Sequence, residues 1–425
     1  MSRRMIAIPL MLRQGLLIWL GWAVLMCGFQ VFAPARLSLR RPDFATAWTP
    51  AETRADSHAN QPYLLGRLMN EHVAWDSEYY LSIAAGGYDD PRMLAVAPTA
   101  DPGDPKLAAK GDHPDWVSLN YAFFPVYPMT MRLVGWPLQA LGFDSLAATA
   151  LAGVLVSLVG TLCALLALGD LAERQGDRAE AGRAAFYLLI MPASFFLAQV
   201  YTEGLFIGLS FAALALLRRK RLAWAALLAV AATWTRATGA LFVIPLFWSW
   251  WEDGGARRLV AHPRWREAAS LALVASPALA YLAWRAVFGQ RFAVVEEHYF
   301  GRAVFALAAS FDSWKDAAAE LWSGPSPARA YYAIEFASTA IGVLLCLIQL
   351  RTDKALALYG LAILGVALTS GVALGMHRYV LSVPALYLVP ARWGRSFAFD
   401  RLWTLANVLV MAVFALAFST DFWAG

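Results

Sequence analysis

Apolar residues run through this chain in long windows, broken by short polar connections. Such windows are long enough to cross roughly 30 Å of hydrocarbon as helices. They begin near residues 15, 146, 184, 202, 222, 238, 268, 331, 355, 379 and 402. The pattern predicts an all-α polytopic membrane protein with about eleven transmembrane helices, within a range of about ten to twelve. The windows 238–251 and 379–392 are short, so tilted or broken helices are expected there.

The polar connections divide by charge. "ERQGDRAEAGR", "RRKR", "EDGGARRLVAHPRWRE", "RTDK" and "ARWGRSFAFDR" carry the basic excess, and Lys and Arg collect on the cytoplasmic side of inserted helices. This places the N-terminus inside. The outside then receives a long first loop at 35–145, a second at 289–330, and tight turns around Ala198–Glu203, Arg236–Gly239 and Gly375–Tyr379. The expected organisation is one integral membrane domain, 1–425, with no internal repeat and no soluble domain. In the first loop, "QPYLLGRLMNEHVAWDSEYYLSIAAGG" has the spacing of amphipathic helices lying on a membrane surface. By contrast, 91–117, rich in Pro, Gly and Asp, reads as a flexible flap. "FFPVYPMTMRLVGWPLQALGF" returns the chain to the interface.

Composition agrees, with 60% hydrophobic and only 15% charged residues, against roughly a quarter charged in soluble domains. The net charge of +5 raises nucleic acid as a partner, but no basic run interleaves with aromatics, so the charge is read as topology. Cys27, Cys163 and Cys346 fall in separate apolar windows and read as small buried residues. The basic start resembles a signal peptide, yet its apolar run of about twenty residues exceeds an h-region and reads as a retained first helix. Abundant Ala, Arg and Trp with few Lys suggest a bacterial genome rich in GC. No HExxH, CxxC pair, Walker loop or GxSxG elbow is present, and neither a metal nor another cofactor is expected.

Ionisable groups at membrane depth are functional candidates once a structural partner has been considered. Asp76, Glu203, Arg236, His377 and Arg378 all fall at the external ends of windows. Asp76 in "WDSEYY" is the first candidate for a general base, and the competing reading is an N-cap for the helix that follows. Glu78, Asp89 and Asp90 are its competitors. Glu203 stands where a helix macrodipole favours a carboxylate. Arg236 lies on the face that short-loop charge bias avoids, which calls for an anion nearby. Arg378 offers a fork suited to phosphate oxygens, or else snorkels to lipid headgroups.

Four blocks resemble the PIG-V-type mannosyltransferases (GPI mannosyltransferase 2) of the GT-C superfamily of membrane glycosyltransferases. "WDSEYYLSIAAGGY" is similar to that family's "WD…H/YFL.IA..GY" and "NYAFFPVYPMTMR" to "FAFFPxxP". "QVYTEGLFIGLSF" is similar to "YSESLF" and "RATG" to "RSNG", all in the family's order over about residues 72–240. Beyond Gly239 only "HRY" adds to the likeness. Departures are Gly204 where the family usually has Ser, the missing Asn in "RATG", and the insertion from Pro91 to Val117.

The resemblance implies a GT-C-type fold and inverting transfer of a sugar, mannose in the family, from a polyprenyl or dolichyl phosphate carrier to an acceptor hydroxyl on the non-cytoplasmic face. It maps the base onto Asp76. Arg236, Arg378 and His377 are then expected at the donor phosphate, with Trp75, Glu78, Tyr79, Asn120, Glu203 and Tyr379 lining or supporting the site. The expected partners are the bilayer, here a bacterial plasma membrane, the lipid-linked sugar, and a glycan, glycolipid or protein acceptor. An arabinosyl or glucosyl transferase is the nearest alternative. A lipid-linked sugar flippase or transporter is the rival of another class, although transporters tend to show paired repeats and midplane charges.

Overall fold

Every apolar window of the sequence becomes helix, but the helices differ greatly in length. A computed structural model describes residues 10–37, 64, 67–98, 108–109, 115–261, 265–420 and 422–424. Among these residues, five helices are long and apolar enough to cross a membrane: Leu12–Leu37, Ser145–Gln175, Trp265–Glu297, Ser326–Gln349 and Phe397–Ser419. The windows between them form shorter pieces, Arg178–Ile190, Glu203–Arg218, Leu222–Thr233, Val243–Glu252, Lys354–Leu368 and Ala385–Trp393. The five long helices fall short of the expected count of about eleven transmembrane helices, and the remaining windows among the described residues form the shorter pieces. Tight turns at Ser194–Ala198 and Ala237–Phe242 break the rest. Irregular backbone at such depth is tolerated where protein or a cavity surrounds it, and these breaks carry the site.

The tightest helix pair is Ser145–Gln175 against Glu203–Arg218. Gly204 and Gly208 face it at the four-residue spacing that lets backbones approach closely. A Cβ on Gly204 would run into the Ser157 backbone, and one on Gly208 into Gly160. This accounts for Gly204 where Ser was expected. Ser157 Oγ donates to the carbonyls of Gln199 at 2.7 Å and Tyr201 at 2.9 Å, and Thr161 Oγ1 donates to Leu197 O at 3.0 Å. The broken segment before Glu203 is thereby fixed to the long helix.

The basic connections meet at one end of the bundle. Arg218 pairs with Asp353, Arg219 with Asp170 at 2.8 Å, Lys220 with Asp253, and Arg395 with Glu180 at 2.7 Å. The first loop lies at the other end. It holds the helices Ser77–Gly86 and Val126–Ala140, and the strand Ala95–Val96 pairs antiparallel with both Ala108–Ala109 and Val117–Ser118. The described parts of the expected flap are thus a small sheet, a local departure from an all-helical fold. Residues 99–107 and 110–114 of the flap lie outside the described residues.

The segment 289–330 is also not a plain loop. The helix Trp265–Ala293 continues into a π-type turn, Val294–Tyr299, and an amphipathic helix follows at Leu307–Ser323. That turn brings acids to a cavity that sequence spacing had not linked to them.

Candidate active site

Four helix breaks supply the charged core of the site. Asp76 precedes the helix Ser77–Gly86, Glu203 begins Glu203–Arg218, Arg236 follows Leu222–Thr233, and Arg378 lies in the short turn Met376–Val380. Asp76 stands at an N-cap position, yet its side chain makes no capping bond. Its carboxylate instead accepts from Arg378 Nη1 at 3.4 Å and Nη2 at 3.3 Å, while its backbone N–H donates to Tyr201 Oη at 3.1 Å. The preceding Trp75 is held at φ 53°, a left-handed conformation that costs a non-glycine residue about 1–2 kcal/mol. Its ring meets Trp423 edge-on at 5.1 Å. Tertiary packing thus fixes the backbone that aims Asp76.

Glu203 Oε1 accepts from Arg378 Nε at 2.9 Å and Nη2 at 2.8 Å, and also from Arg236 Nη1. Arg236 donates further to Thr202 Oγ1 at 3.1 Å. Aromatic faces complete the sheath, with Phe196 and Tyr201 each 4.9 Å from the Arg378 guanidinium and Tyr379 5.4 Å from that of Arg236. The anion that Arg236 called for is Glu203. Two carboxylates and two guanidiniums leave the cluster with no formal net charge. Its two acids are not equivalent, because the Asp76 side chain is 28% exposed and that of Glu203 only 1%. A substrate can reach Asp76 alone of this pair.

Asp76, Arg236 and Arg378 share one cavity of about 1150 Å³ with Glu78, Tyr79 and Tyr379. Tyr79 stacks on Phe123 of the "FFP" block, with centroids 4.6 Å apart. Of the other expected site residues, Trp75 lines the cavity, Glu203 lies behind it, and Asn120 and His377 are turned elsewhere. Asn120 Nδ2 donates to Ser82 Oγ at 2.9 Å and Gly87 O at 3.2 Å, which closes the loop behind the Asp76 helix. Its part is support.

His377 departs from the expected phosphate role. Its Nδ1 bonds Glu335 Oε1 at 2.9 Å, its Nε2 bonds the Ala424 carbonyl at 2.8 Å, and its ring stacks on Phe414. Neighbouring residues of a helical turn point in different directions. Arg378 therefore faces the cavity while His377 faces Glu335.

The competing acids of the first loop have structural partners. Tyr121 Oη donates to Asp89 at 2.9 Å, and Asp90 receives Arg92 Nε at 2.8 Å and Ser82 Oγ at 3.0 Å. Burial alone would raise the Asp90 carboxyl, but the bonds and charge of Arg92 outweigh it and hold the group below its ordinary value. Neither Asp89 nor Asp90 lines the cavity.

Sequence reasoning passed over the opposite wall, where Arg285, Glu296, Glu297 and Arg302 line the same cavity. A signal was present. "FAVVEEHYF" sets adjacent acids among aromatic and aliphatic residues at the end of a span, as "WDSEYY" does.

Over part of its length the chain is similar in sequence to a class of sugar-transferring enzymes. Residues 109–248 match the model of one family, described as Mannosyltransferase (PIG-V), which is the family the sequence blocks resemble. The match contains the "FFP", "YTEG" and "RATG" blocks and begins after the block that holds Asp76. No curated protein matches the chain. Among solved structures, an oligosaccharyltransferase of Archaeoglobus fulgidus in complex with Zn and sulfate is 16% identical with a TM-score of 0.45, over 95% of this chain and 53% of that one. ArnT of Cupriavidus metallidurans bound to undecaprenyl phosphate is 14% identical with a TM-score of 0.42, over 82% and 72% of the two chains. The chain spans about half the length of the archaeal enzyme.

Proposed function

We propose that this protein is a GT-C-type glycosyltransferase that moves a sugar, mannose on the family likeness, from a polyprenyl phosphate carrier to an acceptor hydroxyl. Its cavity opens to the non-cytoplasmic side of a bacterial plasma membrane, with the N-terminus in the cytoplasm, on the charge bias of the connections. The observation that carries the reading is the pairing of Asp76 with Arg378 at the wall of a large cavity, among helices whose breaks supply the charges.

In the proposed step, the acceptor oxygen forms a bond to the anomeric carbon as the bond from that carbon to the phosphate oxygen breaks. The phosphate leaves with the electron pair. Asp76 takes the acceptor proton, and a single displacement inverts the centre. Arg378 holds the carboxylate, and Glu203 holds Arg378 and Arg236 in turn. No metal or other cofactor enters the step.

The test is transfer from radiolabelled polyprenyl phosphate mannose in membranes containing wild type or Asp76→Asn, with glucosyl and arabinosyl donors beside it. The variant is expected to fold and to lose about 10²–10⁴-fold in kcat with a smaller change in KM. Unreduced turnover in Asp76→Asn overturns the assignment of the base. If wild type transfers none of these sugars, the reaction itself is wrong.

A further inference from the structure

We infer that Arg302 is the residue that receives the phosphate of the lipid-linked donor. This rests on the reading of the cavity as a donor site and names a phosphate contact that the sequence motifs do not contain. Glu203 and Asp76 engage Arg236 and Arg378, and Arg285 lies 4.0 Å from Glu297. A phosphate placed at the Arg236–Arg378 cluster would meet a pair of cations already matched by a pair of anions.

Arg302 differs from the other cavity arginines. Among the described residues it has no carboxylate in ion-pair range, and its partners are all neutral: Ser370 Oγ at 3.4 Å, Leu374 O at 3.3 Å and Tyr379 Oη at 3.5 Å. These contacts are long against the usual 2.7–3.2 Å. Glu296 lies close enough to feel its charge but makes no ion pair with it. A guanidinium so weakly bonded keeps donors available for an anion that accepts from two nitrogens at once.

The backbone beneath it is firmly placed. Arg302 N–H donates to Glu296 O at 2.7 Å, and Ala303 N–H donates to Ser370 O at 3.0 Å. Gly301 and Gly371 are both left-handed, and a Cβ on Gly371 would run into the Gly301 carbonyl. The two segments therefore cross in close contact, and the side chain starts from a fixed point. Its surroundings select the ligand. Val304, Val366, Val372 and Leu374 line the cavity on this side, and Phe305 and Leu307 beyond them are exposed. An anion beside an apolar wall suits a phosphate carried on a long apolar alcohol.

The experiment measures binding of undecaprenyl phosphate, undecaprenol and inorganic phosphate to the purified full chain in detergent by native mass spectrometry. Wild type should prefer undecaprenyl phosphate to undecaprenol and should not exchange it for inorganic phosphate. Arg302→Gln should weaken undecaprenyl phosphate about 10- to 100-fold, as expected for a lost hydrogen-bonded charge contact, and leave undecaprenol unchanged. Arg302→Lys, which keeps the charge but loses the fork, should weaken it by a smaller factor and serves if the Gln variant does not fold.

Retained preference with unchanged affinity in either variant overturns the assignment while leaving the donor reading intact. Absence of any preference in wild type overturns both. Displacement by inorganic phosphate overturns the lipid-linked form of the ligand.

Discussion

Glu203 Oε1 is shared by two guanidiniums, with Arg378 Nη2 at 2.8 Å and Arg236 bonded to the same oxygen. Removing this carboxylate would leave two mostly buried guanidiniums with only Asp76 against them, one positive charge unmatched, and breaking a buried ion pair typically costs about 3–5 kcal/mol. Glu203→Gln is therefore expected to lower stability by about that amount, read as a fall in the thermal unfolding midpoint in detergent. Adding Arg236→Gln should restore part of the loss because one unmatched charge is then gone. If the single variant unfolds at the wild-type temperature, Glu203 is not the anchor of the cluster.

Arg378 reaches Glu203 through Nε and Nη2 and Asp76 through Nη1 and Nη2. The ammonium of a lysine is a point charge without this planar fork. In Arg378→Lys the carboxylate of Asp76 should lose its fixed aim, and misplacement of a reacting group is expected to lower kcat about 10- to 100-fold. Transfer assays on membranes with matched protein levels check this. Wild-type turnover would separate Arg378 from the proposed base.

His72 predicts a pH dependence of stability. Its ring is buried and bonded through Nδ1 to Gln199 Oε1 at 2.9 Å. Burial pushes its pKa below the ordinary value, and the bond to Gln199 only partly offsets this. Below the ordinary imidazole value of about 6.5, the unfolded chain takes up a proton that the folded chain does not. Stability should therefore fall as the pH drops below that value, until the folded form also protonates, with no contribution from this group at higher pH. Unfolding midpoints of wild type and His72→Gln between pH 5 and 8 should converge in slope above about 6.5 and diverge below it.

The site was legible in the sequence where its groups stood alone among apolar neighbours. Asp76, Glu203, Arg236 and Arg378 were each conspicuous there, and the fold brings them to one cluster. Which group matched which was not legible. The macrodipole reading of Glu203 and the phosphate reading of the arginines turn on pairings across 175 residues of chain between Glu203 and Arg378. Helix positions came from hydropathy, but the break at Ser194–Ala198 depends on hydroxyls of Ser157 and Thr161, whose partners lie 36 to 44 residues away. The wall containing Arg302 was missed because a polar stretch after a long helix reads as loop. Its π-type turn and its contacts with Ser370 are tertiary features.

His377 gives the sharpest contrast with its neighbour in sequence. Glu335 Oε1 accepts the Gly375 N–H at 2.9 Å and bonds His377 Nδ1, while the other ring nitrogen holds the Ala424 carbonyl. In the residue next to this tether, Trp423 Nε1 donates to Tyr331 Oη at 3.0 Å, and its ring packs on Trp75. In His377→Ala, the Ala424 carbonyl and part of Glu335 lose buried partners, at about 1–3 kcal/mol for each group. The unfolding midpoint should fall for that reason. Affinity for undecaprenyl phosphate in the folded fraction should stay within about twofold of wild type, because a change of under about 0.4 kcal/mol is expected for a group that does not touch the ligand. A tenfold loss of affinity with an unchanged midpoint would return His377 to the phosphate site.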